Sequence, residues 1–174
     1  PFSTITELVD YGAGKHGDKT AVQIERDGKW VRYSYSDMKK YMEEIASRFR
    51  RLGFRKGDRV ILFSENQPEW GLAYLGASAQ GLIVVPIDAQ TWHREVWSVA
   101  KFTDARAILA SEKCLARLTA EGLKQNEDKE QPINLLNVNT FCQPFDLKEY
   151  PRSSRLELGE EESPVPEIRP DDPA

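Results

Sequence analysis

The sequence predicts an α/β fold: a helix, a hairpin and a second helix, followed by an open, mainly parallel sheet with helices on both faces. Three observations carry that expectation. Short apolar runs without alternation, Arg59–Phe63, Leu82–Ile87, Arg106–Leu109 and Ile133–Val138, suit strands buried on both faces. Helix-length stretches separate these runs, and strands connected in that way pair in parallel through right-handed crossovers. Ahead of them, Ala21–Ile24 and Trp30–Tyr33 flank Arg26-Asp27-Gly28-Lys29, and Asp-Gly is a strong hairpin signal.

The elements follow in order. Thr4-Ile5-Thr6-Glu7 reads as a capping box, with Ile5, Leu8 and Val9 as a short apolar stripe, so a helix opens the chain. After the hairpin, Ser34 or Ser36 can cap a helix carrying Met38, Tyr41, Met42, Ile45, Phe49 and Leu52 at helical spacing, stopped by Gly53. Lys56-Gly57-Asp58 is a tight turn into the first buried strand. Asn66-Gln67-Pro68-Glu69 opens the next helix with proline in its first turn. That helix, Trp70 to Ala79, is apolar on nearly every side and rich in small residues, which predicts a close approach to the sheet; Gly81 ends it. A helix from His93 to Thr103 presents Val96, Trp97 and Ala100, and Ser111 caps another with Cys114, Leu115, Leu118 and Leu123. Gln125 to Gln131 reads as a polar loop.

Composition excludes several functions. The formal net charge is −4, and nucleic-acid binding needs a basic face, so no nucleic-acid partner is expected. The basic clusters Arg48-Phe49-Arg50-Arg51 and Arg55-Lys56 read as a solvated helix end, where cations complement the dipole. No apolar run approaches the ~20 residues of a membrane span. Two cysteines, Cys114 and Cys142, and two histidines, His16 and His93, are too few and too scattered for a zinc site, which suits a reduced, cytoplasmic setting. The expectation is therefore no metal and no catalytic residue in this stretch.

Gly12, Gly14 and Gly17 spell G-x-G-x-x-G, the dinucleotide fingerprint. A phosphate cradle needs a strand leading in and a helix leading out, so that helix N-terminal amides meet the anion. Here a helix leads in and a hairpin leads out. The stretch Tyr11–Thr20 is expected to be only a glycine-rich helix end and loop. Glu43 and Glu44, adjacent on a helix, point apart and read as a solvated face. Asp88 lies at the exit of a buried strand, where ligands of open α/β sheets gather, and it also suits a carboxylate bonding its own turn.

Residues 1–142 are expected to form one α/β unit, with 143–174 as a Pro/Glu-rich linker. Six of the ten prolines lie from Pro144 onward, beside Glu160-Glu161-Glu162, and large apolar residues are few there. A compact domain seldom ends in so long a tail, and the first residue is not Met, so the stretch is expected to be a piece of a longer chain.

A series of short motifs resembles one family. Arg32-Tyr33-Ser34-Tyr35-Ser36-Asp37-Met38 resembles the "tYaeL" segment of adenylate-forming enzymes: acyl-CoA synthetases, luciferases and peptide-synthetase adenylation domains. Leu52–Val60 is similar to their "LGv-kGDrVa", and Ser64–Trp70 to the "seNrpEW" of long-chain fatty acyl-CoA synthetases. Gln80–Asp88 resembles "aGavvvPid", and Lys19–Val22 resembles "dktAv". Ile168–Ala174 is similar to the "v-pdDpA" that precedes the family's phosphate loop.

The resemblance implies a two-step fatty acid–CoA ligase that uses ATP, Mg²⁺ and CoA. It places the phosphate loop, the adenine and ribose motifs and a catalytic lysine beyond these residues. The stretch alone is therefore expected to be inactive, and the full enzyme cytoplasmic or peripheral to a membrane. The turn Asp88–Trp92 departs from the family pattern. In some relatives this loop approaches the CoA nucleotide, which makes Gln90, His93 and Arg94 candidates to face CoA. An open sheet cut from a larger body would leave an edge free, and a homodimer through that edge is expected. The alternative is a stand-alone, non-catalytic α/β module for binding or interaction.

Overall fold

The computed structural model describes residues 2–127, 133–143 and 166–172. Helix α1 (Ile5–His16) leads into the hairpin β1 (Thr20–Arg26) and β2 (Lys29–Ser34), then α2 (Tyr35–Arg51). Strands and helices alternate thereafter: β3 (Arg59–Phe63), α3 (Pro68–Ala79), β4 (Ile83–Ile87), α4 (His93–Phe102), β5 (Ala107–Ala110), α5 (Glu112–Glu127), β6 (Asn134–Asn137) and a short α6 (Val138–Phe141).

The sheet runs β4-β3-β5-β6, all parallel, with Ile61 of central β3 opposite Val85 on one side and Ile108 on the other. Its side chains alternate between two cores. Val60, Leu62, Val84, Ala107, Leu109 and Leu136 pack under α2, α3 and α6. Ile61, Phe63, Ile108 and Ala110 pack under α4 and α5, against Val96, Trp97, Cys114 and Leu118. Both faces are covered, which is why these strands read as unbroken apolar runs.

Local chemistry explains the first elements. Thr4 caps α1 by accepting from the Glu7 amide at 3.2 Å, while the Glu7 carboxylate reaches the Ser3 amide at 2.7 Å. The β1–β2 turn has Asp27 at φ 51° and Gly28 at φ 73°, the two positive values a type I′ turn requires. Ser34, not Ser36, caps α2 in a reciprocal box with Asp37, whose carboxyl the Ser34 amide and hydroxyl hold below the usual carboxylate range.

Tyr11–Thr20 is a helix end and loop, with Tyr11–His16 in α1 and the loop confined to Gly17–Lys19. Gly12 and Gly14 lie inside α1, and only Gly17, at φ 51°, terminates it by donating to the Ala13 carbonyl. Gly12 is where Tyr35 of α2 lies against α1; a Cβ there would stand 3.1 Å from the tyrosine ring. The small residues of α3 also serve a different neighbour from the one expected. A Cβ on Gly76 would lie 2.3 Å from Ile45 Cγ2, so the close approach is to helix α2, not to the sheet.

Arg48 departs from the solvated helix end expected of it. It is buried, and its guanidinium donates to the Phe141 carbonyl, tying α6 to α2 beneath the Phe49–Phe141 ring contact. Helix α6 itself was not legible as a helix; Asn137 caps it where the sequence suggested that strand continued to Val138.

Glu69 is a buried carboxylate at the start of α3. Its carboxylate accepts from Arg26 at 2.6 Å and from the Tyr33 hydroxyl at 3.2 Å, tying the hairpin to α3. At the opposite end of the sheet, residues 166–172 return to the turn before β3. Lys56 binds Asp172 at 2.7 Å and the Glu167 carbonyl at 2.8 Å, and Ile168 sits over Gly81. Residues 144–165 of the expected linker, the 128–131 part of the expected loop and the Leu123 side chain lie outside the described residues.

Two outcomes test this packing. Gly76→Ala should lower the unfolding free energy by about 1–3 kcal/mol through overpacking, and Ile45→Ala in the same background should recover part of that loss in a double-mutant cycle. A neutral Gly76→Ala in urea titration would contradict the close approach. Burial, reinforced by Glu69, pushes the Tyr33 phenol up to about 12. From about pH 10, where an exposed tyrosine ionises, the unfolded chain releases a proton that the folded chain keeps. This contribution is complete below about pH 10 and falls as pH rises toward 12. Tyr33→Phe should flatten the loss of urea midpoint between about pH 10 and 12, leaving the smaller share from Tyr41, which burial also raises. An unchanged slope would place Tyr33 in water.

Candidate functional site at the carboxyl ends of the strands

Adjacent strands β3 and β5 send their following helices to opposite faces, α3 into one core and α5 into the other. The crevice between such strands, outside their carboxyl ends, is where open α/β sheets take ligands. Here it is lined by polar side chains from four strand exits.

On the α3 side, Ser64 accepts from Gln67 Nε2 at 2.7 Å, and Gln67 Oε1 accepts from Asn139 Nδ2 at 2.8 Å. Asn137 completes the row by accepting from the Asn139 amide at 2.9 Å. This row links the end of β3 to the end of β6 and fixes the amide orientations along it.

On the α5 side, Ser111 follows β5, accepts from the Cys114 amide at 3.2 Å and bonds the Glu65 carboxylate. The Ser111 hydroxyl, with Lys113 and Arg117 nearby, holds the Glu65 carboxyl below its usual range against the opposing effect of partial burial. The Cys114 thiol lies 3.9 Å from Glu65 Oε1 and 3.8 Å from the Ala89 carbonyl. Burial pushes that thiol up, so it stays protonated and is a poor nucleophile.

The β4–α4 turn closes the crevice. Asp88 Oδ1 accepts from the Gln90 amide at 2.7 Å and the Asp88 carbonyl from the Thr91 amide at 2.9 Å, the self-bonded turn that the sequence suggested. Gln90 is exposed at the tip. His93 and Arg94 occupy the first turn of α4, the histidine half-buried and the arginine exposed. The N-cap is Trp92, which supplies no side-chain cap. The three residues thus share one turn at the carboxyl edge of the sheet.

Two observations bear on metal and phosphate among the described residues. No three His, Cys, Asp or Glu side chains there stand close enough to hold a metal ion. The Gly17 amide bonds back to Ala13, so it is not offered to phosphate. Among the described residues no helix is long and apolar enough to cross a membrane.

Sequence reasoning weighed Gln90, His93 and Arg94 but passed over Glu65, Ser111 and Arg117. Glu65 lay within a quoted motif, and the signal for it was its place one residue past the Ser64 strand exit. Arg117 left no signal, because its partners are backbone carbonyls on a distant turn.

Comparisons with known proteins bear on the family and the fold. The profile of the AMP-binding enzyme family matches residues 9–174. The chain is 38% identical over 87 residues to the crotonobetaine/carnitine–CoA ligase of Salmonella typhimurium, a match covering 49% of this chain and 17% of that protein. Its fold is similar to the N-terminal subdomain of Klebsiella oxytoca NpsA in complex with 3-hydroxyanthranilyl-AMSN: TM-score 0.71, 16% identity, 98% of this chain and 36% of that one. It is also similar to the Mycobacterium tuberculosis fatty acyl CoA synthetase: TM-score 0.64, 18% identity, 99% of this chain and 30% of that one. The chain therefore spans about a sixth of its curated relative and about a third of these structures, whose low identities speak to fold alone. With the family profile running over nearly its whole length, the chain belongs to the AMP-binding, adenylate-forming enzymes.

Proposed function

We propose that this chain is the N-terminal part of a fatty acid–CoA ligase. In the first step a carboxylate oxygen attacks the α-phosphorus of ATP and pyrophosphate leaves. In the second, the CoA thiol attacks the acyl carbon and AMP leaves. The observation that carries this reading is the family match across the chain, joined to the order of its motifs: Leu52–Val60 leads into β3, Ser64–Trp70 leaves it, and Gln80–Asp88 spans β4. ATP and Mg²⁺ would be held by residues beyond those described, and the 174-residue chain does not itself carry out adenylation. A cytoplasmic setting belongs to the same reading, and the buried free thiols Cys114 and Cys142 suit it.

Within the ligase, the β4–α4 turn would face CoA. A helix N-terminus without a side-chain cap favours phosphate, and Arg94 adds an exposed cation beside it. Gln90 and His93 would supply further hydrogen bonds from the same turn. We also infer that copies associate weakly through the edge of β4, where Pro86 removes one ladder donor and limits the pairing. A second reading, a non-catalytic binding module, draws on the exposure of Trp92 and Phe102 at the two ends of α4.

Purified as 174 residues, the chain should show no fatty acid-dependent exchange of pyrophosphate into ATP; exchange above background would overturn its inactivity. In a ligase-length protein carrying this stretch, Arg94→Ala should raise the KM for CoA by roughly tenfold, as loss of one charge-assisted hydrogen bond to phosphate predicts. An unchanged KM for CoA would remove the turn from the CoA site. Light scattering at high concentration should show a weak dimer, and a strictly monomeric chain would discard the edge pairing.

A further inference from the structure

The β4–α4 turn is held from another element. Arg117, on the second turn of α5, reaches across to it, and its guanidinium donates to the Ala89 carbonyl and, at 2.6 Å, to the Thr91 carbonyl. These two carbonyls flank Gln90. The fork of an arginine can engage both at once, which a single ammonium cannot do from one position. The guanidinium also lies 5.5 Å from the centre of the Phe63 ring, at the end of β3. Glu65, with its carboxylate close by, balances the charge. One side chain thus joins three strand exits: β3 through Phe63, β4 through Ala89 and Thr91, and β5 through its own helix.

Within the turn, Asp88 holds the backbone by accepting from the Gln90 and Thr91 amides. Those bonds fix the curl of the turn but not its angle to the sheet. Contacts from α5 tie the turn to its neighbours, Arg117 at the Ala89 and Thr91 carbonyls and Cys114 at the Ala89 carbonyl.

We propose that Arg117 is the positioning residue of the candidate site: it clamps the β4–α4 turn so that Gln90, His93 and Arg94 are presented at the carboxyl edge of the sheet. The clamp is a property of this chain. Its consequence for CoA rests on the reading of the turn given above.

Hydrogen exchange on the 174-residue chain tests the clamp directly, since the Gln90 and Thr91 amides are bonded and report on opening of the turn. Arg117→Ala should speed their exchange by roughly tenfold or more, with Arg117→Lys between it and the parent, while the Ile61 and Leu62 amides of β3 keep their protection. No change at Gln90 and Thr91 overturns the clamp. Equal acceleration at β3 also overturns it, because it would show general loss of stability. In a ligase-length protein, Arg117→Ala should raise the KM for CoA by roughly tenfold with a much smaller change in kcat, and Arg117→Lys should recover part of it. A loosened turn with an unchanged KM for CoA would uphold the clamp and overturn the CoA-facing reading. A raised KM with a turn as protected as the parent's would overturn the clamp.

Discussion

Everything above one face of the sheet depends on how closely α2 can approach α3. Gly76 lets the Ile45 side chain reach the α3 backbone, and the two helices together form a platform. Helix α1 rests on α2 where Tyr35 lies beside Gly12. The hairpin hangs from α3 through Glu69, and α6 hangs from α2 through Arg48. Neither of these polar ties could form if the platform were wider, because both reach from a helix into a neighbour whose position the platform sets. A well-packed interior transmits such a displacement instead of absorbing it.

The two ends of the sheet divide the labour. At the amino ends of the strands, Asp58 accepts from the Arg55 amide and from Arg106, while Arg106 also binds the Gly53 carbonyl and covers the Phe54 ring. Lys56 adds the return of residues 166–172 to the same corner. These contacts join backbone to side chain in fixed turns and leave little exposed polar capacity. The carboxyl ends carry longer exits, with amide and hydroxyl groups arranged in rows and one mobile-length side chain, Arg117, spanning them. A sheet secured at one end can vary its loops at the other.

The sequence made the strands legible because burial on both faces leaves an unmistakable apolar run. The hairpin was equally plain, since Asp27 and Gly28 state their own backbone conformation. Tertiary partners were harder to read. The small residues of α3 announce a close approach but not to whom, and the sheet and α2 would have left the same pattern. Arg48 sits close to Arg50 and Arg51 in a basic cluster, and only its spacing, three residues after Ile45 and four before Leu52, marks it as lying on the apolar stripe. Helix α6 is a single turn, too short for periodicity, and only the Asn137 cap marks it. For the site, residue types on one turn could be grouped, as Gln90, His93 and Arg94 were. A clamp that binds carbonyls has no sequence pattern to find, because every residue offers a carbonyl.

The parallel ladder also governs how the chain arrives at this structure. Ile61 pairs with Val85 and with Ile108, so β3 meets no partner until a whole crossover helix has been laid down. Each pairing must meet the entropy of closing a long loop before its bonds are gained. The α1–hairpin–α2 segment, by contrast, is built from neighbours in sequence. Local elements of this kind form within microseconds, whereas long-range parallel pairing is intrinsically slow. During that interval the apolar runs that become β3 and β4 stand unpaired. The period of greatest hazard for this chain is therefore the wait for its own central strand to find both neighbours, when unpaired apolar strands are open to aggregation.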